Sequence, residues 1–232
     1  MDQLITTDKL EILTPLLMGI TYLSAFKNRK PTCDRYIINY FLYLLTSLSI
    51  FLYSGEKLKE YFKGNFIAPL LITVPLIIML AFTKNIWLRH LLWILILIFT
   101  GIVSSKIYER YGEEEIKSAF VKLMFIILFC MLITTLFPQY IKSNFEIVII
   151  LALLIVVILR VIDSFIYQRK TKMLIQITIF LLALLMIYDI NRVSKNAKLC
   201  MGNKIIPDYI DTVSDMFLNL RAIFGDLLRI EE

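Results

Sequence analysis

Ionisable residues stand in this chain where apolar side chains are the rule. Asp189 follows directly on the run LLALLMIY. Arg160 and Asp163 interrupt the end of the run that begins VIILALLIVVIL. Residues 207–230, PDYIDTVSDMFLNLRAIFGDLLRI, carry Asp208, Asp211, Asp215, Asn219, Ala222, Asp226 and Arg229 at three- and four-residue intervals. An ionisable residue in a membrane span is by default a functional candidate. Acidic positions contributed by two helices could hold a cation or a shared proton. Oxygen ligands suit calcium, and facing carboxylates make a site pH-sensitive. Asp189 is accordingly the candidate metal ligand, with the acidic stripe of the last segment as its complement. The plainer reading makes Asp189 a boundary residue paired with Arg192. Arg160 and Asp163, at i and i+3, are expected to form an intramembrane charge pair on one helix face.

Other reactive types offer less. His90 is the only histidine and sits in NIWLRHLLW between Trp87 and Trp93, as in an aromatic interface belt. Cys33, Cys130 and Cys200 show no CxxC spacing and no histidine partner. A zinc site or a Cys/His nucleophile therefore has no basis, and no enzyme activity is expected. Cys130 lies in an apolar run and reads as a small buried hydrophobe. Cys33 and Cys200 either pair across their loops or stay reduced.

The elements that must position these residues are apolar. Of 232 residues 59% are hydrophobic and 19% charged, against about 45–50% and about 25% in soluble domains. A soluble core of this size cannot hide so much apolar surface, so the lipid bilayer is the first partner. The net charge of +6 is spread in short pulses between apolar runs rather than gathered on one arm, which argues against nucleic acid. The opening MDQLITTDKLE is acidic, unlike a signal-peptide n-region. Apolar runs fall at about 12–27, 36–54, 65–83, 86–105, 117–137, 145–167 and 173–190. They are apolar all round, which excludes the alternating strands of a barrel. Pro69 and Pro75 lie within the third run, and the short gap between the third and fourth predicts a tight antiparallel hairpin. Lys and Arg in alternate loops nearly balance, so the positive-inside rule does not orient the chain.

The last segment differs from these runs. Ile210, Val213, Phe217, Leu220, Phe224 and Leu227 oppose its polar stripe. Either it lies in the interface plane or it inserts among the other helices with its stripe toward a polar interior. Interfacial helices usually carry basic polar faces, so the acidic stripe favours insertion.

Tyr188-Asp189 at the end of one run, and MFLNLRAIFGDLLRI as the closing helix, resemble the Bax inhibitor (transmembrane Bax inhibitor motif) family. Met216-Phe217-Leu218-Asn219 falls on its Leu-Tyr-Leu-Asp motif and Ile223-Phe224 on Leu-Phe. HLLWILILIFTGIVSSKIYERYGEEEIKSAF is similar to the family's third span and following loop. RYIINYFLYLLTSLSI and the Pro-Asp-Tyr-Ile before the last helix look like versions encoded by large DNA viruses. The resemblance covers about residues 35–230. It implies an all-α polytopic membrane protein with about seven transmembrane helices in a domain at 36–232, plus an extra helix in an N-terminal segment at 1–35. It also implies a calcium-leak or ion-homeostasis modulator that restrains cell death, in an internal membrane of ER type or a viral internal membrane. Virion or other membrane proteins are further possible partners. The family's paired aspartates map onto Asp189 and Asn219, so one charge is missing. Asp215, one turn earlier, is the substitute, and Arg221 adds a positive charge at a position the family keeps hydrophobic. Asp189, Asn219 and Asp215 are thus the ion-binding or pH-sensing candidates, with a calcium ion as the one possible cofactor. A structural protein of a viral internal membrane, without ion conduction, is the alternative.

Overall fold

The computed structural model describes residues 7–58, 67–108, 110–141, 144–166, 171–202 and 205–231. Among them are eight α-helices: α1 (Thr7–Ala25), α2 (Tyr36–Lys57), α3 (Ile67–Phe82), α4 (Ile86–Tyr108), α5 (Glu113–Leu136), α6 (Asn144–Phe165), α7 (Lys172–Met201) and α8 (Tyr209–Glu231). Strands β1 (Phe26–Lys27) and β2 (Lys30–Pro31) form one small hairpin. Segments 36–57, 86–105, 114–136, 145–165 and 172–201 are long and apolar enough to cross a membrane. This is a helical, multi-pass membrane architecture. The apolar parts of α1 and α3 are shorter; at about 1.5 Å per residue, α3 spans about 24 Å. The loop expected at 55–64 and the first residues of the chain lie largely outside the described residues, as do the ends of the runs at 65 and 167.

Two compact units divide the chain: residues 1–110 with 199–213, and residues 111–198 with 214–232. In the first, α2 is the centre. α1 packs antiparallel to it through a ladder of small hydroxyls: Thr14 with Ser49 at 2.7 Å, Thr21 with Thr46 at 2.7 Å, and Ser24 donating to Asn39 at 2.5 Å. Glu11 and Lys57 close the far end at 3.5 Å. Such bonds suit apolar surroundings, where a hydroxyl has no water to turn to. α4 lies on the other side of α2, and the two backbones touch. A Cβ on Gly55 would come within 2.9 Å of the Gly101 carbonyl oxygen, and one on Gly101 would collide with the Phe51 carbonyl and the Ser54 hydroxyl.

The expected hairpin between α3 and α4 is present. Asn85 caps α4 by accepting from the Trp87 and Leu88 N–H groups at 3.0 and 3.3 Å. Pro69 sits in the first turn of α3, where a missing donor costs nothing. Pro75 is inside the helix, as expected. The two-residue turn Asn28-Arg29 has positive φ at both positions, 52° and 62°, which is the geometry a tight hairpin demands.

The second unit holds α5, α6, most of α7 and most of α8. Thr134 and Cys130 of α5 donate to α7 carbonyls at Ile187 (3.5 Å) and Ala183 (3.4 Å). Cys130 is buried and free, as its apolar setting predicts. α7 runs eleven residues beyond its apolar stretch, through NRVSKNAKLCM, because nothing in that polar segment breaks a helix.

Candidate functional site

In the second unit α7 and α8 bring the main candidates together. Asn219 Nδ2 donates to Asp189 Oδ2 at 2.7 Å. Arg192, one turn after Asp189, donates through Nη2 to Asp189 Oδ1 at 2.8 Å and to Asp215 Oδ2 at 2.6 Å. Asp189 is 7% exposed, whereas Arg192 and Asp215 are 43% and 50% exposed. The Asn219–Asp189 bond shows that α8 packs against α7, so the two side chains are not solvated separately. On the apolar face of α8, Ile210, Val213, Phe217, Leu220 and Leu227 are buried as their spacing predicts, and Phe224 is half-buried.

The chemistry of the cluster follows from its donors. Both Asp189 oxygens receive N–H groups, one neutral and one cationic. One guanidinium serves two carboxylates. Calcium takes about 6–8 oxygen ligands, and this arrangement offers Asp189 nitrogen donors instead. No group of three or more His, Cys, Asp or Glu placed to hold a metal occurs among the described residues. The set as arranged therefore does not fit a resident calcium ion. It does fit a latch, in which Arg192 ties α7 to α8 by bridging Asp189 and Asp215.

Arg160 requires a correction. Its expected partner was Asp163, but the guanidinium makes a two-pronged contact with Asp226 of α8, each arm 2.7 Å. Arg229 adds a third bond to Asp226 at 3.2 Å, and the Thr178 hydroxyl accepts from Arg160 at 3.2 Å. Asp226 is 6% exposed. A buried planar fork facing a carboxylate gives better charge-assisted geometry than an i,i+3 neighbour on the same helix. Asp163 instead accepts from the Thr171 backbone N–H at 3.0 Å. Asp226 belonged to the expected polar stripe, but its partner lies 66 positions away and leaves no local sign.

A second cluster, in the first unit, was not anticipated. Asp208 and Asp211 pair with Arg89, the latter at 3.5 Å. Tyr209 donates to the Thr32 carbonyl at 2.6 Å and accepts from Asn39 Nδ2 at 3.1 Å. Its ring stacks on Tyr43 at 5.1 Å and lies against Tyr36 at 5.1 Å. His90 Nδ1 faces the Ile86 carbonyl at 2.7 Å, so Nδ1 carries the proton. In the neutral ring Nε2 then accepts from the Tyr43 hydroxyl, at 2.7 Å. The expected interface belt is only half present. Trp87 is exposed, but Trp93 is buried and donates to Ser47 at 3.1 Å. Cys33 and Cys200 are joined in a disulfide, with Cα atoms 5.4 Å apart and 167 positions between them.

No family model matches this chain, and no curated protein or solved structure is significantly similar to it.

Proposed function

We propose that this multi-pass protein modulates ion homeostasis across an internal membrane, as the Bax inhibitor family it resembles does, with calcium as a passing ion rather than a resident one. On this reading α2 to α8 are the seven crossings and α1 is an additional one. The membrane is of ER type or a viral internal membrane, and the physiological outcome is restraint of cell death. The observation that carries the reading is the buried Asp189 carboxylate held by Asn219 and Arg192. A carboxylate so placed in an apolar helix is costly unless it is used. Arg192 is the cation of the resting arrangement. A permeating cation competes for the same oxygens once the guanidinium withdraws.

The test is calcium flux into liposomes holding the purified full chain. Wild-type flux above that of empty vesicles, lost in Asp189→Asn and raised in Arg192→Gln, supports the reading. Asn219→Asp restores the second aspartate of the family and should make flux vary more steeply with pH. The second carboxylate then shares Arg192 with Asp189 and Asp215, while Glu146 acts at longer range. Flux equal to that of empty vesicles at acidic and neutral pH ends the leak reading.

One observation favours a second reading, a structural protein of a viral internal membrane. Asn219 lacks the charge of the second aspartate, and every Asp189 oxygen already has a donor, which is what a static joint requires. Stoichiometric abundance in purified particles, with no flux, would select it.

A further inference from the structure

The balanced loop charges leave the chain unoriented, but the cysteine bridge does not. Disulfides form and persist on the oxidising side of a membrane and are rare on the reducing side. We propose that the face of the first unit carrying Cys33 and Cys200 looks into an oxidising compartment, and that the opposite end, marked by Glu11 and Lys57, faces the reducing side.

Several features of that unit converge on this assignment. The 167-position separation makes the bridge a product of folding rather than of chain proximity. The two cysteines are also brought together by contacts that do not depend on the bond. The Tyr209 hydroxyl reaches the Thr32 carbonyl, one residue from Cys33, and Asn39 at the start of α2 holds the same hydroxyl. Arg89, just after the α3–α4 turn, grips Asp208 and Asp211. The 26–35 loop, the 83–85 turn, residues 199–202 and residues 205–209 therefore share one end of the unit. α1 and α2 run antiparallel from that end, and their other ends meet at Glu11 and Lys57. Cys200 closes a helix of 30 residues, about 45 Å long. That exceeds a hydrocarbon core of about 30 Å, so the helix can carry its last turns into the aqueous phase where exchange takes place.

The bond forms by thiol–disulfide exchange. One cysteine thiolate attacks an incoming disulfide, that of an oxidised oxidoreductase or of glutathione disulfide, to give a mixed disulfide. The second thiolate then displaces the carrier. Two electrons pass to the carrier, and the two protons lost by the protein's thiols end on the carrier, which leaves as two thiols.

Two measurements on the full chain in sealed endoplasmic-reticulum microsomes test the proposal. Alkylation with a polymer-tagged maleimide in denaturing detergent counts free thiols without any substitution. One adduct before reduction (Cys130) and three after it are expected. Three adducts before reduction overturn the proposal. Orientation is then read from Lys57→Cys and Lys84→Cys, each introduced singly, using a membrane-impermeant maleimide added outside the vesicles. Lys57→Cys should label at once, and Lys84→Cys only after the membrane is opened. The reverse pattern overturns the proposal even if the bridge is present. Both readouts are independent of ion flux, so failure here is distinct from failure of the proposed function.

Discussion

α8 is held in two different ways along its length. Its first residues, in the first unit, are fixed by neutral contacts: the stacked rings of Tyr209 and Tyr43, the Tyr209 hydroxyl on Thr32 and Asn39, and a nearby covalent bridge. The grip of Arg89 on Asp208 and Asp211 is the charged exception there, and Asp211 is exposed. The remainder, in the second unit, is fixed by charge: Arg192 on Asp189 and Asp215, and Arg160 with Arg229 on Asp226. A neutral hydrogen bond that loses one partner leaves at most an unsatisfied dipole. A buried ion pair that loses one partner leaves a charge with nothing to balance it. The second joint is therefore the more sensitive of the two to the loss of a single partner.

The largest effect should come from the charged joint. Asp226→Asn strands Arg160 and is expected to lower stability by about 3–5 kcal/mol, measured by thermal unfolding in detergent. The double change Arg160→Met with Asp226→Leu should recover most of that loss. If the single change is as mild as a neutral one, the contrast between the joints collapses. Next comes the covalent tether. Cys33→Ser should cost about 2–4 kcal/mol, and reductant should lower the melting temperature of the wild type but not of the variant. Tyr209→Phe keeps the ring stack and removes two hydrogen bonds, a loss of about 2 kcal/mol at about 1 kcal/mol each. A loss as large as that of Asp226→Asn would mean that the neutral joint hides an unrecognised charge. The smallest effect belongs to the hairpin. Arg29 holds φ of 62°, and Arg29→Gly should change stability by about 0.5 kcal/mol in the favourable direction, with no effect on either joint.

The helices were legible because a span is written in one dimension. The runs at 36–54, 86–105 and 145–167 reappear as α2, α4 and α6 with shifts of a few residues. Asp189 and Asn219 were legible because an acidic residue follows directly on one apolar run and a polar stripe runs along the last segment. Arg160 was misassigned because spacing shows only neighbours on the same helix, and the bidentate partner lay on another. The cluster around Tyr209 gave no signal at all. Asn39, Tyr43 and Tyr209 are neutral residues in apolar or mixed stretches, and nothing local distinguishes a tyrosine that stacks from one that faces lipid. The 26–31 hairpin was equally silent. Its strands are too short to show a period, and Asn28-Arg29 lacks the glycine that usually announces such a turn. The cysteine pair stayed open because bridging needs a distance, and a sequence carries none.

The crossing of Gly55 and Gly101 has a mechanical consequence. Where side chains separate two helices, the helices can shear by exchanging rotamers. Here backbone meets backbone, and the Ser54 hydroxyl fills what room is left, so α2 and α4 have nothing to slide on. They act as one strut. Any rearrangement within the first unit must be carried by the pieces leaning on that strut: α1 through its exchangeable hydroxyl bonds, or α3, which packs chiefly on α4 and can pivot about the 83–85 turn.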